Sequence, residues 1–152
     1  MREVDLYIKI SRECPRPGPG MYIAILEAKT AAGKTGTLTL KKKCAQITPH
    51  NLELTAVIDA IKRCKGDISL RIHSPHDWLG RVITNGWLLK WQQADWMDKG
   101  KPRPGAELYK ELYTFEQACG IRFESFDRDL GSYSDWMDYE IKKEAEKDRI
   151  DI

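Results

Sequence analysis

The sequence has no C-x-x-C pair: Cys14, Cys44, Cys64 and Cys119 stand far apart. That spacing excludes the common zinc frameworks and fits reduced, mostly buried thiols. Long apolar runs are missing as well, and no stretch approaches the roughly 20 residues needed to span a bilayer. The opening, MREVDLYIKIS, lacks the charged, apolar and small-residue order of a secretory signal, so a cytoplasmic protein without membrane attachment is expected. There is no internal repeat and no low-complexity linker, and residues 1–152 are expected to form one domain and a monomer. Charge of one sign is also lacking, the net being only +2. What asymmetry exists is local: the chain from Asp135 onward carries a net −3 and the remainder about +5. A mildly basic body with an acidic tail permits nucleic-acid binding without demanding it.

What is present is strong periodicity. In VDLYIKI, Val4, Leu6, Ile8 and Ile10 fall on one face and Asp5, Tyr7 and Lys9 on the other, which predicts a half-buried strand. Strands over 3–11, 21–29 and 35–43 are separated by PRPGPG and AAGKTG, turn chemistry that predicts an antiparallel meander. The period then becomes helical. Thr48 is placed as N-cap with Pro49 in the first helical position, Leu52, Val57, Ala60, Ile61 and Cys64 recur on one side, and Gly66 ends the helix. A strand, ISLRIH, follows, then a Trp-rich helical region from His76 to about Lys99 broken near Asn85-Gly86. After the loop KGKPRPGA come a helix ending at Gly120, the strand IRFESF and a last helix for which Ser134 is the expected N-cap. The order β-β-β-α-β-α-α-β-α is a mixed α/β domain.

Three stretches in this order carry a likeness: PGPG followed by YIAIL, the run HNLELTAVIDAI, and VITNGWLLKWQQADWMDKGKP with its spaced Trp87, Trp91 and Trp96. Together they resemble the bacterial-type ribonuclease H family along nearly the whole chain. The resemblance implies the ribonuclease H-like fold, a mixed five-stranded sheet (antiparallel meander, then parallel strands) flanked by helices, with a Trp-rich handle. It also implies hydrolysis of the RNA strand of an RNA/DNA hybrid by four acids holding Mg²⁺ or Mn²⁺. Hard divalent ions need such oxygen ligands.

Carried over one position at a time, the four acids are not all here. The first falls on Lys9, or on Ile10 if the register slips by one. The second is retained as Glu53. The third falls on His73. The fourth is best matched by Asp138, with Asp135 as the alternative. The family's mobile histidine has no counterpart in the loop DRDLGSYS. A lysine ammonium about 4 Å from a divalent ion would repel it by roughly 8 kcal/mol at an effective dielectric of 20. The expected arrangement therefore has Lys9 in the metal's place, pointing at Glu53 and Asp138, with His73 hydrogen-bonded beside it and no metal or other cofactor bound. Retained activity would require Mg²⁺ or Mn²⁺ at Glu53 and Asp138, with Asp5, Asp127, Asp129 or Asp135 as surrogate acids, although Asp5 lies too far along its strand to replace residue 9 directly. A Zn²⁺ or Mn²⁺ site from His73, Glu53 and Asp138 is the competing metal reading.

For binding, the resemblance points to Thr48 and Asn51 just before Glu53, and to Trp87, Lys90, Trp91, Trp96, Lys99, Lys101 and Arg103 in the handle. Gln92, Gln93 and Ala94 thin the handle's positive charge, which predicts weaker and less salt-tolerant phosphate binding. Lys41, Lys42 and Lys43 read as a solvated strand end that discourages pairing, or as phosphate contacts, and the acidic tail as the solvated end of the last helix. The expectation is a ribonuclease H-like domain that binds RNA/DNA hybrid or double-stranded RNA without cleaving it. An active endoribonuclease is the first alternative and a protein-interaction domain the second.

Overall fold

The computed structural model describes residues 2–11 and 14–147. Its main sheet is built from β1 (Arg2–Ile10), β2 (Gly18–Lys29), β3 (Thr35–Ile47), β4 (Ile68–His73) and β7 (Ile121–Asp127), in the order β3-β2-β1-β4-β7. The helices are α1 (Pro49–Ile61), α2 (Trp78–Thr84), α3 (Trp87–Gln93), α4 (Ala106–Ala118) and α5 (Ser134–Lys147), and a two-residue ribbon pairs β5 (Met97–Asp98) with β6 (Lys101–Pro102). β2 and β3 run longer than the alternation predicts, because their pairing continues back to Gly18 and on to Ile47.

Strand β1 is central. It pairs antiparallel with β2 and parallel with β4, with Tyr7 opposite His73, so Lys9 and Ile10 extend past the end of β4. The even residues Val4, Leu6, Ile8 and Ile10 pack with Leu52, Ala56 and Val57 of α1 and Leu112 of α4 in the larger core. On the opposite face Ile23, Ile25, Leu130 and Met137 form a second, smaller core that seats α5. β2 is covered on both faces, which is why MYIAIL is an unbroken buried run.

The Thr48 hydroxyl accepts from the Asn51 backbone N–H (3.3 Å), and Pro49 opens α1 as expected. Helix boundaries differ from the sequence reading as well, and in the handle α3 ends at Gln93 rather than near Lys99. α1 ends at Ile61, five residues before the left-handed Gly66. Ser134 is not a cap but already helical, because a 3₁₀ turn, Gly131–Tyr133, leads directly into α5.

The acidic tail is not simply solvated. Glu140 and Glu144 of α5 accept from Lys41 (2.6 Å) and Lys43 (3.1 Å), while Lys42, pointing to the other face, lies 3.7 Å from Asp59 of α1. Thus the lysine run, read as a free edge, ties both helical layers to β3. Residues 148–152 lie outside the described residues.

Candidate functional site at the strand ends

Side chains alternate along β1 and β4, so the parallel register brings Asp5, Tyr7 and Lys9 together with Ser69, Arg71 and His73 on the α5 face. Arg71 forks onto Asp5, with Nε donating to Oδ1 (2.9 Å) and Nη2 to Oδ2 (2.8 Å). His73 lies between two carboxylates, its Nε2 2.8 Å from Asp5 and its Nδ1 2.7 Å from Asp127 at the end of β7. Ionised carboxylates only accept, so the arrangement favours a ring that donates from both nitrogens, the imidazolium form. Burial pushes the His73 pKa down, but the bonds and charges of Asp5 and Asp127 raise it on balance. The Arg71 bond holds Asp5 below the usual carboxylate range against its burial, and His73 adds to the effect. Tyr7 stacks on the His73 ring at 4.4 Å, and Tyr133 packs edge-on against Tyr7 while donating to Glu27.

Lys9 completes this face. Its Nζ stands 2.5 Å from Asp138 Oδ1, with Asp138 carried one turn into α5 beside the fully buried Met137. The two residues that the sequence matched to the first and fourth acids are therefore joined by an ion pair. Ile10, the alternative position, is in the larger core on the opposite face.

Glu53 does not join the cluster. It belongs to α1, which packs on the even face of β1, so the sheet separates it from Lys9 and the two do not pair. Glu53 is 2% exposed. Burial, then the charge of Asp77, pushes its pKa up to about 8, so the carboxyl keeps its proton at neutral pH. Among the described residues no three His, Cys, Asp or Glu side chains converge as a metal-binding group, so Glu53, His73 and Asp138 do not form the site the sequence left open. Asp5 and Asp127, the proposed surrogates, are bonded to His73 instead. Asp129 accepts the Gly131 N–H, and Asp135 lies in the first turn of α5.

The tryptophans mostly pack. Trp78, which the sequence left without a role, donates to the Tyr109 hydroxyl (2.8 Å) and stacks on His50; Trp87 and Trp91 continue the aromatic row to Tyr109. Trp96 is buried against Tyr113. Arg103 lies 4.3 Å above the Trp91 ring, so its guanidinium is partly committed to that face. Lys90, Lys99 and Lys101 are exposed. Thr48 is occupied as the cap, and Asn51 Oδ1 faces Gly105 so closely that a Cβ there would stand 2.8 Å away.

Sequence reasoning missed Arg71 and the bond of Asp127 to His73, having offered Asp127 only as a surrogate acid, and it missed Asp77. The first two enter through strand register, for which the sequence carries no local signal. Asp77 sits in the short PHD segment that delays α2 after β4.

No protein-family model matches the chain. A protein named Ribonuclease H from Syntrophomonas wolfei is 31% identical over 131 residues, covering 82% of each chain. The chain belongs to the ribonuclease H family. A second Ribonuclease H, from Caldicellulosiruptor saccharolyticus, is 28% identical over 127 residues, again covering 82% of each. Among solved structures, the ribonuclease H-like fold is matched by LC9-RNase H1, a type 1 RNase H with the type 2 active-site motif, with a TM-score of 0.73 over 97% of this chain and 74% of that one at 16% identity. The Mg²⁺ or Mn²⁺ used by active members of the ribonuclease H family calls for converging oxygen ligands; of the four positions matched from the sequence, Lys9 and His73 offer no oxygen and Glu53 lies on the other side of the sheet from Asp138. These residues do not fit the metal pair.

Proposed function

We propose that this chain is a ribonuclease H-family domain that binds RNA/DNA hybrid or double-stranded RNA and does not hydrolyse it. The Lys9–Asp138 ion pair carries the reading, because it puts an ammonium against the one acid left on that face at a matched position. The His73 imidazolium supports it, being charge-balanced by Asp5 and Asp127 and leaving no carboxylate uncommitted between β1, β4 and β7. Binding would rest on Lys90, Lys99 and Lys101, exposed along the handle, reading the phosphate backbone and A-form shape rather than sequence. With few cations engaged, affinity should fall with added salt along a shallow slope.

The test is cleavage of a labelled RNA/DNA hybrid with Mg²⁺ and separately with Mn²⁺, with Glu53→Gln run alongside to exclude a contaminating nuclease. Retention of hybrid in a gel shift with no cleavage is the expected result. The second reading, a working nuclease, is favoured by the relatives named Ribonuclease H. It predicts metal-dependent cleavage that disappears in Glu53→Gln. Neither cleavage nor retention would make the chain a protein-interaction domain.

A further inference from the structure

Between the end of β4, the short helix α2 and the end of β7 lies a cavity of about 310 Å³. Phe126 supplies an aromatic wall, Thr84 and Asn85 a hydroxyl and an amide, and Arg81 and Arg128 two guanidinium groups. The arginines are held together by one carboxylate: Asp77 Oδ1 is 3.3 Å from Arg81 Nη2, and its Oδ2 is 3.1 Å from Arg128 Nη2. Each guanidinium has five N–H donors, so this bridge leaves most of them free for a ligand. Asp127, which also lines the cavity, gives its Oδ1 to His73, so its charge is shared with that ring rather than set against the arginines alone.

A flat apolar wall, an edge of neutral hydrogen-bonding groups and a gathered pair of guanidinia are the three parts a nucleotide needs: a face for the base, partners for its edge and forks for its phosphate. The volume sits at the small end of ligand pockets, enough for one nucleotide and far too little for a duplex. We propose that this cavity is a nucleotide pocket that takes a single unpaired nucleoside monophosphate unit, its base against Phe126 and its phosphate on Arg81 and Arg128. The inference goes beyond duplex binding and does not depend on it.

The experiment is a ¹H–¹⁵N NMR titration of the full chain with AMP, with adenosine and with inorganic phosphate as separate arms. AMP should bind saturably with a dissociation constant on the order of 0.1 mM, moving the amides of Thr84, Asn85 and Arg128. Adenosine and phosphate should each bind about tenfold more weakly, since each keeps only part of the contact set. Arg128→Gln should weaken AMP about tenfold and leave adenosine unchanged, and Thr84→Trp, on the exposed side of α2, should fill the cavity and abolish binding. The proposal is overturned by the absence of saturable shifts, by phosphate binding as tightly as AMP, or by unchanged AMP affinity in both variants. No duplex is present in the titration, so its failure leaves the hybrid gel shift standing, and the reverse holds.

Discussion

Replacing Glu53 with glutamine removes a buried acid whose protonation is coupled to folding, and the coupling has a definite sign. The folded pKa, about 8, lies above the ordinary 4.5, because burial and the Asp77 charge disfavour the carboxylate. A raised folded pKa means the folded state binds the proton more tightly. The associated stability is fully present below pH 4.5 and is lost as pH rises through 8. At 1.36 kcal/mol per pH unit the total loss is about 5 kcal/mol, of which about 3.5 kcal/mol falls between pH 5 and pH 8. Glutamine has nearly the same volume and no charge to bury. At pH 5 Glu53→Gln should therefore be neutral or about 1 kcal/mol less stable, owing to its buried amide. At pH 8 it should be more stable than the parent by about 2.5 to 3.5 kcal/mol. The assay is urea unfolding at several pH values between 5 and 8 at fixed ionic strength. If parent and variant lose stability in parallel over that range, Glu53 is ionised in the folded state and the reasoning fails.

Other outcomes follow from the same geometry. The His73 ring should titrate above its ordinary 6.5, its contribution to stability being complete below that value and lost as pH rises through the folded pKa; Asp127→Asn should lower the midpoint in an NMR titration. Lys9→Ala should cost at most about 1 kcal/mol, because Asp138 is half exposed and the pair is solvent-screened, and a larger loss in thermal unfolding would mean the pair is buried. The Lys41 and Lys43 bonds hold Glu140 and Glu144 below the usual carboxylate range, so their contribution is present above about pH 4.5 and lost as pH falls; hydrogen exchange in α5 should quicken on acidification and in 1 M salt before the rest of the fold opens. Gly80→Ala would bring a Cβ to 3.1 Å from that of Phe126, pressing α2 against β7 and costing about 1 to 3 kcal/mol in thermal unfolding.

Most of the architecture was legible because its signals are local: alternation in VDLYIKI, turn chemistry at AAGK between β2 and β3, and Thr48-Pro49 opening α1; PGPG, read as a turn, is instead mostly the start of β2. The pairing of Lys9 with Asp138 followed from matching two positions to a family pattern, and the structure brings the two together. Glu53 was wrongly joined to them, although the alternation already set Lys9 on the face opposite Ile8, against which α1 packs. The Asp5–His73–Asp127 bridge was not legible at all. It depends on parallel register between strands more than 50 residues apart, where a shift of one residue would turn His73 away.

The three lysines of β3 also act as a positional check on assembly. Because consecutive residues face opposite sides, Lys41 and Lys43 serve α5 while Lys42 serves α1. A slip of β3 by one residue would set Lys42 on the α5 side with either Leu40 or Cys44 as its companion, leaving one of two glutamates unmatched. A monotonous KKK thus penalises misalignment of the outermost strand, a discrimination supplied by the pleat rather than by variety in the letters.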